Sequence, residues 1–268
     1  MENDMQGTTG DGPGRGLRDV ERWQEEGAVH LFRPWLPAVA DAAGVKPMDR
    51  VLDVGCGTGV LSRYLTDERK ARVTGIDQNE AMLSVASAIS PQIRWDRGRA
   101  ELLPYENNSF DAVVSQFALS LFHNAEDAVK EMIRVVRPGK PIAVAVWDSL
   151  GSTAAFQALR NLLTREFGVG LTGSFAYDTE KLAALFRRPG IHTPEIRTLK
   201  ALTTFPTIRS WIRAATRWWT WAVRIDDRDL EGFLPAGEKH LAGFADARGR
   251  VVFHASAHIV KTVKEQLD

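Results

Sequence analysis

The chain has 268 residues, of which 44% are hydrophobic and 25% charged, the balance of an ordinary soluble globular protein. Lys+Arg and Asp+Glu number 34 each, so no basic excess favours nucleic acid or an anionic membrane surface. The one cysteine, Cys56, excludes an internal disulfide framework and a cysteine-based zinc site, and no metal is expected.

Residues 1–16 are rich in Gly, Asp, Asn and Thr and lack the basic start and apolar core of a signal peptide, which predicts a flexible N-terminus. No apolar run approaches the ~18 residues of a membrane span, so a cytoplasmic protein is expected. Leu17 to Gly44 reads as helix in two pieces, interrupted at Pro34 and Pro37. Trp23 and Trp35 on its apolar face suit either a cover over a ligand or packing on a sheet.

The stretch Val51-Leu52-Asp53-Val54-Gly55-Cys56-Gly57-Thr58-Gly59 predicts a buried parallel strand, a tight turn and a helix start. Glycines at alternate positions let a ligand lie on the main chain, and the helix offers unpaired N–H groups. A dinucleotide fingerprint needs its third glycine at position 60, which is Val60. Cys56 has no basic neighbour in sequence and reads as a small residue beside the ligand. A second strand ends at Asp77, followed by Gln78; a carboxylate there can accept both hydroxyls of a ribose. The next helix starts at Asn79, with Ala81, Met82, Val85, Ala86 and Ile89 on one side.

The third strand is read as Ile93 to Trp95 and leads into Gly98-Arg99-Ala100-Glu101-Leu102-Leu103-Pro104-Tyr105. Ser109-Phe110-Asp111 opens a fourth strand whose carboxyl end carries Ser115, Gln116 and Phe117. His123 lies in the loop before a helix read as Asp127 to Val136. Val135-Val136-Arg137-Pro138-Gly139-Lys140 closes that helix, and the apolar fifth strand runs from Pro141 to Trp147. A helix starts at Asp178, a sixth strand covers about Glu195 to Phe205, and the last strand is read as Gly249 to Val260.

The glycine spacing with Asp53, then Asp77, Ala100-Glu101 and the Ser-Phe-Asp strand, in this order, resembles the class I S-adenosylmethionine (SAM) methyltransferases. Within them it looks like the small-molecule group that includes quinone-biosynthesis C-methyltransferases. The resemblance implies a doubly wound, Rossmann-like α/β fold with a seven-stranded, mostly parallel sheet and an antiparallel last strand. It implies SAM as cofactor, S-adenosylhomocysteine as product and a small-molecule methyl acceptor, with oligomeric state left open. It also implies the cofactor set: Asp53 at the SAM amino group; Gly55, Cys56, Gly57 and Gly59 along the methionine half; Asp77 at the ribose, followed by Gln78; Met82 and the Ala100 N–H at the adenine; Gln116 at the carboxyl end of the fourth strand, beside the glycine turn. Arg99 stands where the family carries Asp, and an Arg cannot accept a hydrogen bond, so Glu101 is the replacement acceptor for the adenine amino group.

The expected organisation is a flexible segment 1–16, a SAM-binding core with cover helices 17–148, a substrate-side insertion 149–177, a core continuation 178–206, a Trp-rich helical lid 207–248 and a closing strand 249–268. In the lid, Trp211 and Trp218 share a helical face that Trp221 joins at i+3, and Arg209, Arg213 and Arg217 form a separate stripe; the lid either buries its aromatics with its arginines in water, or Trp211, Trp218 and Trp221 wall a pocket for the acceptor with an Arg available to an acidic substrate. No catalytic residue is demanded, because a sulfonium is already a good leaving group; His123 and Tyr177 are the candidate bases. Two other readings share the glycine turn: a SAM-fold protein that uses the cofactor as a scaffold or for a cyclisation, and an NAD(P)- or FAD-dependent oxidoreductase, which Val60 opposes.

Overall fold

Apolar strands covered on both faces alternate with helices carrying one apolar stripe, and this pattern closes into a single sheet. The computed structural model describes residues 17–148, 153–168, 177–219 and 225–266. Its strands are β1 (Arg50–Val54), β2 (Arg72–Asp77), β3 (Arg94–Arg97), β4 (Ala112–Gln116), β5 (Pro141–Trp147), β6 (Glu195–Phe205) and β7 (Val251–Val263). They lie in the order β3-β2-β1-β4-β5-β7-β6. The first five pair in parallel, and β7 runs antiparallel to both β5 and β6. The order reverses between β1 and β4, and open α/β sheets bind ligands outside the carboxyl ends at that point.

Alternation along the strands divides the core into two. Val51, Val114, Ala145 and Trp147 face the side covered by α1 (Leu17–Trp23), α2 (Val29–Phe32), α3 (Leu36–Ala42), α4 (Val60–Asp67), α5 (Glu80–Ile89), α7 (Ala154–Phe167), α9 (Ile208–Trp219) and α10 (Asp227–Leu241). Leu52, Val54, Val113, Val144 and Val146 face α6 (Ala125–Val135) and α8 (Thr179–Phe186).

Several boundaries differ from the sequence reading. The N-terminal region is a near-continuous helical rod, because Pro34 and Pro37 sit in the first turns of short helical segments, where a missing N–H costs nothing. A one-turn π segment, Gln24–Ala28, joins α1 to α2. β3 begins one residue late and runs on to Arg97, because its pairing partner β2 continues to Asp77. Ile89 is exposed at the last turn of α5 instead of sharing its buried side. α6 starts at Ala125, where the Asn124 side chain caps the Glu126 and Asp127 N–H groups. β7 runs from Val251 to Val263, since Asp246 ties the preceding turn through the Arg248 and Arg250 N–H groups.

Candidate active site

The glycine turn joins β1 to α4 at the reversal point. Gly57 has φ +54° and Gly59 φ +79°, the left-handed region. A Cβ on Gly59 would lie 2.3 Å from the Trp95 ring, whereas one on Gly57 would meet nothing within 4 Å. The turn is therefore packed from behind at Gly59 and open at Gly57. Gly55 and Cys56 both donate their N–H to the Ile76 carbonyl, at 2.8 and 3.1 Å, which joins the turn to β2. The Cys56 thiol is buried and pushed well up, by burial first and then by Asp77 and Asp53, so it is no nucleophile at neutral pH.

Two carboxylates flank this turn. Asp53, at 1% exposure, accepts the Ser62 hydroxyl at 2.6 Å on Oδ2, while its Oδ1 is buried without a hydrogen-bond partner among the described residues. Burial raises its carboxyl to about 7, opposed by the Ser62 hydrogen bond and reinforced by Asp77. Asp77 Oδ2 accepts the Gly57 N–H at 2.8 Å and Oδ1 the Asn79 N–H at 2.9 Å. Burial raises its pKa too, against these backbone donors. Gln78, half-buried, follows at the strand end, and its carbonyl lies 3.4 Å from Arg97 Nε.

Beyond β3, Ala100 is buried, and its N–H finds no acceptor among the described residues. Met82 is 8% exposed and packed into the core on the α5 side. Glu101 accepts the Asn124 N–H at 3.1 Å on Oε1 and pairs with Arg99 at 3.3 Å on Oε2. Burial raises its carboxyl, but the backbone donors and Arg99 more than offset this, and the net shift is downward. Asp111 is structural: it accepts the Arg50 N–H at 3.0 Å and Arg137 at 2.6 Å. At the end of β4 the Gln116 amide donates to the Phe32 carbonyl at 2.9 Å, and the Thr58 hydroxyl bonds the Gln24 side chain. These two bonds fasten the N-terminal rod over the glycine turn.

Residues 51–139 match a protein-family model described as "Methyltransferase domain". This segment is a methyltransferase domain. Over 113 residues, 42% of this chain and 47% of the relative, the sequence is 40% identical to a demethylmenaquinone methyltransferase of Renibacterium salmoninarum. The chain spans about half the length of the curated relatives it matches. Among solved structures it is similar to a Haemonchus contortus phosphoethanolamine N-methyltransferase 2 bound to phosphomonomethylethanolamine and S-adenosylhomocysteine, with TM-score 0.62, 16% identity and coverage of 97% of this chain and 61% of that one. It is also similar to the [4+2]-cyclase SpnF, with TM-score 0.55, 21% identity and coverage of 86% and 79%. The sheet order and the glycine turn are those of the Rossmann-like class I fold, with β7 as the antiparallel strand. Among the described residues, no helix is long and apolar enough to cross a membrane.

The residues expected on the acceptor side of the methyltransferase domain divide sharply. His123 is exposed in the loop before α6 and makes no hydrogen bond among the described residues. Tyr177 packs half-buried against the α6–α8 side, its N–H 3.3 Å from the Trp147 carbonyl. Burial raises its phenol, which makes it a poor base. Trp211 corrects the sequence reading: it is fully buried, ringed by Phe156, Phe244 and Phe253 at 5.8–6.4 Å, and forms core rather than an open wall. The Trp218 side chain and Trp221 lie outside the described residues, as do Arg217's side chain, residues 1–16, and residues 149–152 and 169–176 of the expected insertion. Arg209 pairs with Glu238, and Arg213 with Glu231 and Glu26, so two members of the arginine stripe clamp α9 to α10 and to the rod.

Trp35 and Trp23 also resolve into core. Trp35 packs edge-on to Phe117 and Trp147, which stack at 3.8 Å, and Trp23 packs edge-on to Phe32. Phe117 holds φ +57°, a conformation costing on the order of 1–2 kcal/mol for an L-residue. Its N–H bond to the Ala145 carbonyl at 2.8 Å and its stack on Trp147 hold it there. Ser62, Trp95, Gln24 and Phe32 are site residues that sequence reading missed; all but Ser62 act through a partner remote in the chain. The one legible signal was Ser62, nine positions after Asp53 and on the helix that faces it.

Proposed function

We propose that this protein is a SAM-dependent methyltransferase acting on a small-molecule acceptor. The observation that carries the reading is the pair of carboxylates flanking an open glycine turn. Asp53 Oδ1, buried and unpartnered, is where the SAM ammonium would be held, and its elevated pKa is what a site awaiting a cation shows. Asp77 lies at the end of β2, with Gln78, at the place for a ribose. Gly57 leaves room for the ligand to approach the main chain, and Ala100 supplies an N–H at the far end. Met82, in the first turn of α5 after Asp77, offers a polarisable side chain for the adenine.

When bound, SAM supplies an activated methyl group on a sulfonium. This chain's residues bind, orient and exclude water. The rod fastened by Gln24 and Gln116 covers the turn, and the buried stack of Phe117 on Trp147 backs the β4 and β5 tips with apolar core. Val60, standing where a dinucleotide fingerprint needs its third glycine, disfavours an NAD(P) or FAD oxidoreductase. The likeness to quinone-biosynthesis methyltransferases supports an aromatic or quinone-type acceptor.

Calorimetric titration tests the binding: SAM and S-adenosylhomocysteine should bind and NADH should not. Tight NADH binding without a SAM signal overturns the reading. Incubation with isotope-labelled SAM and a panel of phenols, amines and thiols, followed by mass spectrometry, identifies the transfer. Product formation with SAM left unconsumed would point to the scaffold or cyclisation alternative instead.

A further inference from the structure

Gln24 is bonded to the glycine turn, yet only half of its carboxamide is used. Its Oε1 accepts the Thr58 hydroxyl, whereas its Nε2, with two N–H donors, has no acceptor among the described residues. The side chain is half-buried under the rod, so water or a ligand must take those donors. Thr58 is 4% exposed and stands between Gly57, which faces open space, and Gly59, which Trp95 backs. Oxygen and nitrogen of a carboxamide branch from one carbon, so a Gln held on Thr58 through its oxygen keeps its nitrogen beside the same turn. The rod is shaped to hold it there. Gln24 opens the one-turn π segment, a feature frequent at functional sites. A Cβ on Gly27 would lie 2.1 Å from the Trp23 ring, so only glycine lets that ring lie along the segment.

The charges around the turn follow the same logic. Asp53, before the turn, keeps one buried carboxyl oxygen bare. Arg63, half-buried on α4 after the turn, donates to the Thr58 carbonyl at 2.6 Å and lies within ion-pair distance of no carboxylate among the described residues. An acid with a spare oxygen and a cation with a spare charge suit the ammonium and the carboxylate of an α-amino acid, the end group that SAM carries.

We infer that Gln24 is a cofactor-binding residue as well as a latch, its Nε2 donating to the α-carboxylate of SAM while Asp53 holds the ammonium. The inference rests on the methyltransferase reading and deepens it: the rod becomes one wall of the cofactor site, and it reads the amino-acid end of the ligand. A plain cover would be indifferent to that carboxylate.

The test is calorimetric titration of the full chain with SAM and with decarboxylated SAM, which keeps the ammonium, the sulfonium and the adenosine. The wild type should bind SAM about tenfold or more tighter than the decarboxylated compound. Gln24→Glu separates the two roles of the residue, because its carboxylate still accepts the Thr58 hydroxyl but turns the free donor into an acceptor. It should weaken SAM by roughly 10- to 150-fold and the decarboxylated compound by no more than about threefold. Gln24→Ala should weaken SAM about tenfold, so that the two affinities come within about threefold of each other. If Gln24→Glu does not fold, Gln24→Ala and the wild-type ratio decide the matter. A wild type that binds both compounds equally overturns the inference. So does either variant if it binds SAM normally, or if it loses both compounds to the same degree. A wild type that binds neither compound sinks the methyltransferase reading itself.

Discussion

The two ends of this molecule solve opposite problems. Around the glycine turn, polar groups are left over: Asp53 Oδ1 has no partner, Gly57 faces open space, and two acids stand near each other. Around α9, α10 and the far half of β6 and β7, the large apolar and charged side chains have found one another, although Trp211 Nε1 and Thr203 Oγ1 are buried without a partner among the described residues. Trp211, Phe156, Phe205 and Phe253 pack ring against ring, and Arg209 and Arg213 are neutralised by acids of α10 and the rod. What separates the regions is charge and openness: the first holds two acids beside a glycine that faces open space, which suits the proposed ligand, and the second holds packed rings and paired arginines. Richness in aromatic residues is therefore a poor guide to a binding wall; what matters is whether the rings have already found one another.

The largest effect should come from breaking the rigid end. Trp211→Ala should cost about 3–5 kcal/mol in chemical denaturation, the loss for a large buried aromatic, while SAM affinity of the folded fraction stays within a few-fold. A normal denaturation midpoint with a raised acceptor KM would return Trp211 to the pocket.

The ligand-ready end should respond in affinity instead. Asp53→Asn and Asp77→Ala should each weaken SAM binding by roughly 10- to 150-fold, about 1.4–3 kcal/mol, by calorimetry. The sequence alone suggests that Asp77→Asn is the milder change. The structure reverses this, because both Asp77 oxygens accept N–H groups and an amide nitrogen would face one of them as a second donor. Asp77→Asn should therefore lose as much as Asp77→Ala, and near-normal affinity in it would show that the loop bonds are dispensable.

Asp53 also gives the two ends different pH behaviour. Its folded pKa of about 7 lies above the ordinary 3.8, so between those values the folded chain keeps a proton that the unfolded chain has lost. Its contribution to stability is present at low pH and is lost as pH rises through that window. The SAM ammonium prefers the ionised carboxylate, so affinity should climb over the same window and level off near neutrality. Asp53→Asn should flatten both slopes; an unchanged affinity slope would place the ammonium elsewhere. The smallest effect is expected from Arg213→Ala, about 1 kcal/mol or less in thermal melts, because its partners are part-exposed.

The contrast extends to what could be read from the chain. Asp53, the three glycines, Asp77, Met82 and Ala100 fall within one continuous stretch of strands and helices, where local spacing dictates geometry. Strand-end acids and alternating glycines can hardly be placed otherwise, and β5 and β6 match their predicted limits for the same reason. The packed side of the molecule is assembled from segments far apart. Trp35 meets Trp147, and Phe156 meets Trp211, across gaps that no periodicity measures.

By itself the sequence determined the strand–turn–helix of the proposed cofactor site, the acids at the ends of β1 and β2, and the alternation that buries the sheet on both faces. Those features depend on backbone angles and repeat lengths, which are properties of short stretches. The tertiary structure alone decided that Trp211 is core and that the arginine stripe is spent on ion pairs. It alone left Asp53 with one bare oxygen, and it brought Gln24 of the rod to the Thr58 hydroxyl. The reason is physical: a side chain's role follows from which partners reach it first, and those partners are chosen by packing rather than by position in the chain.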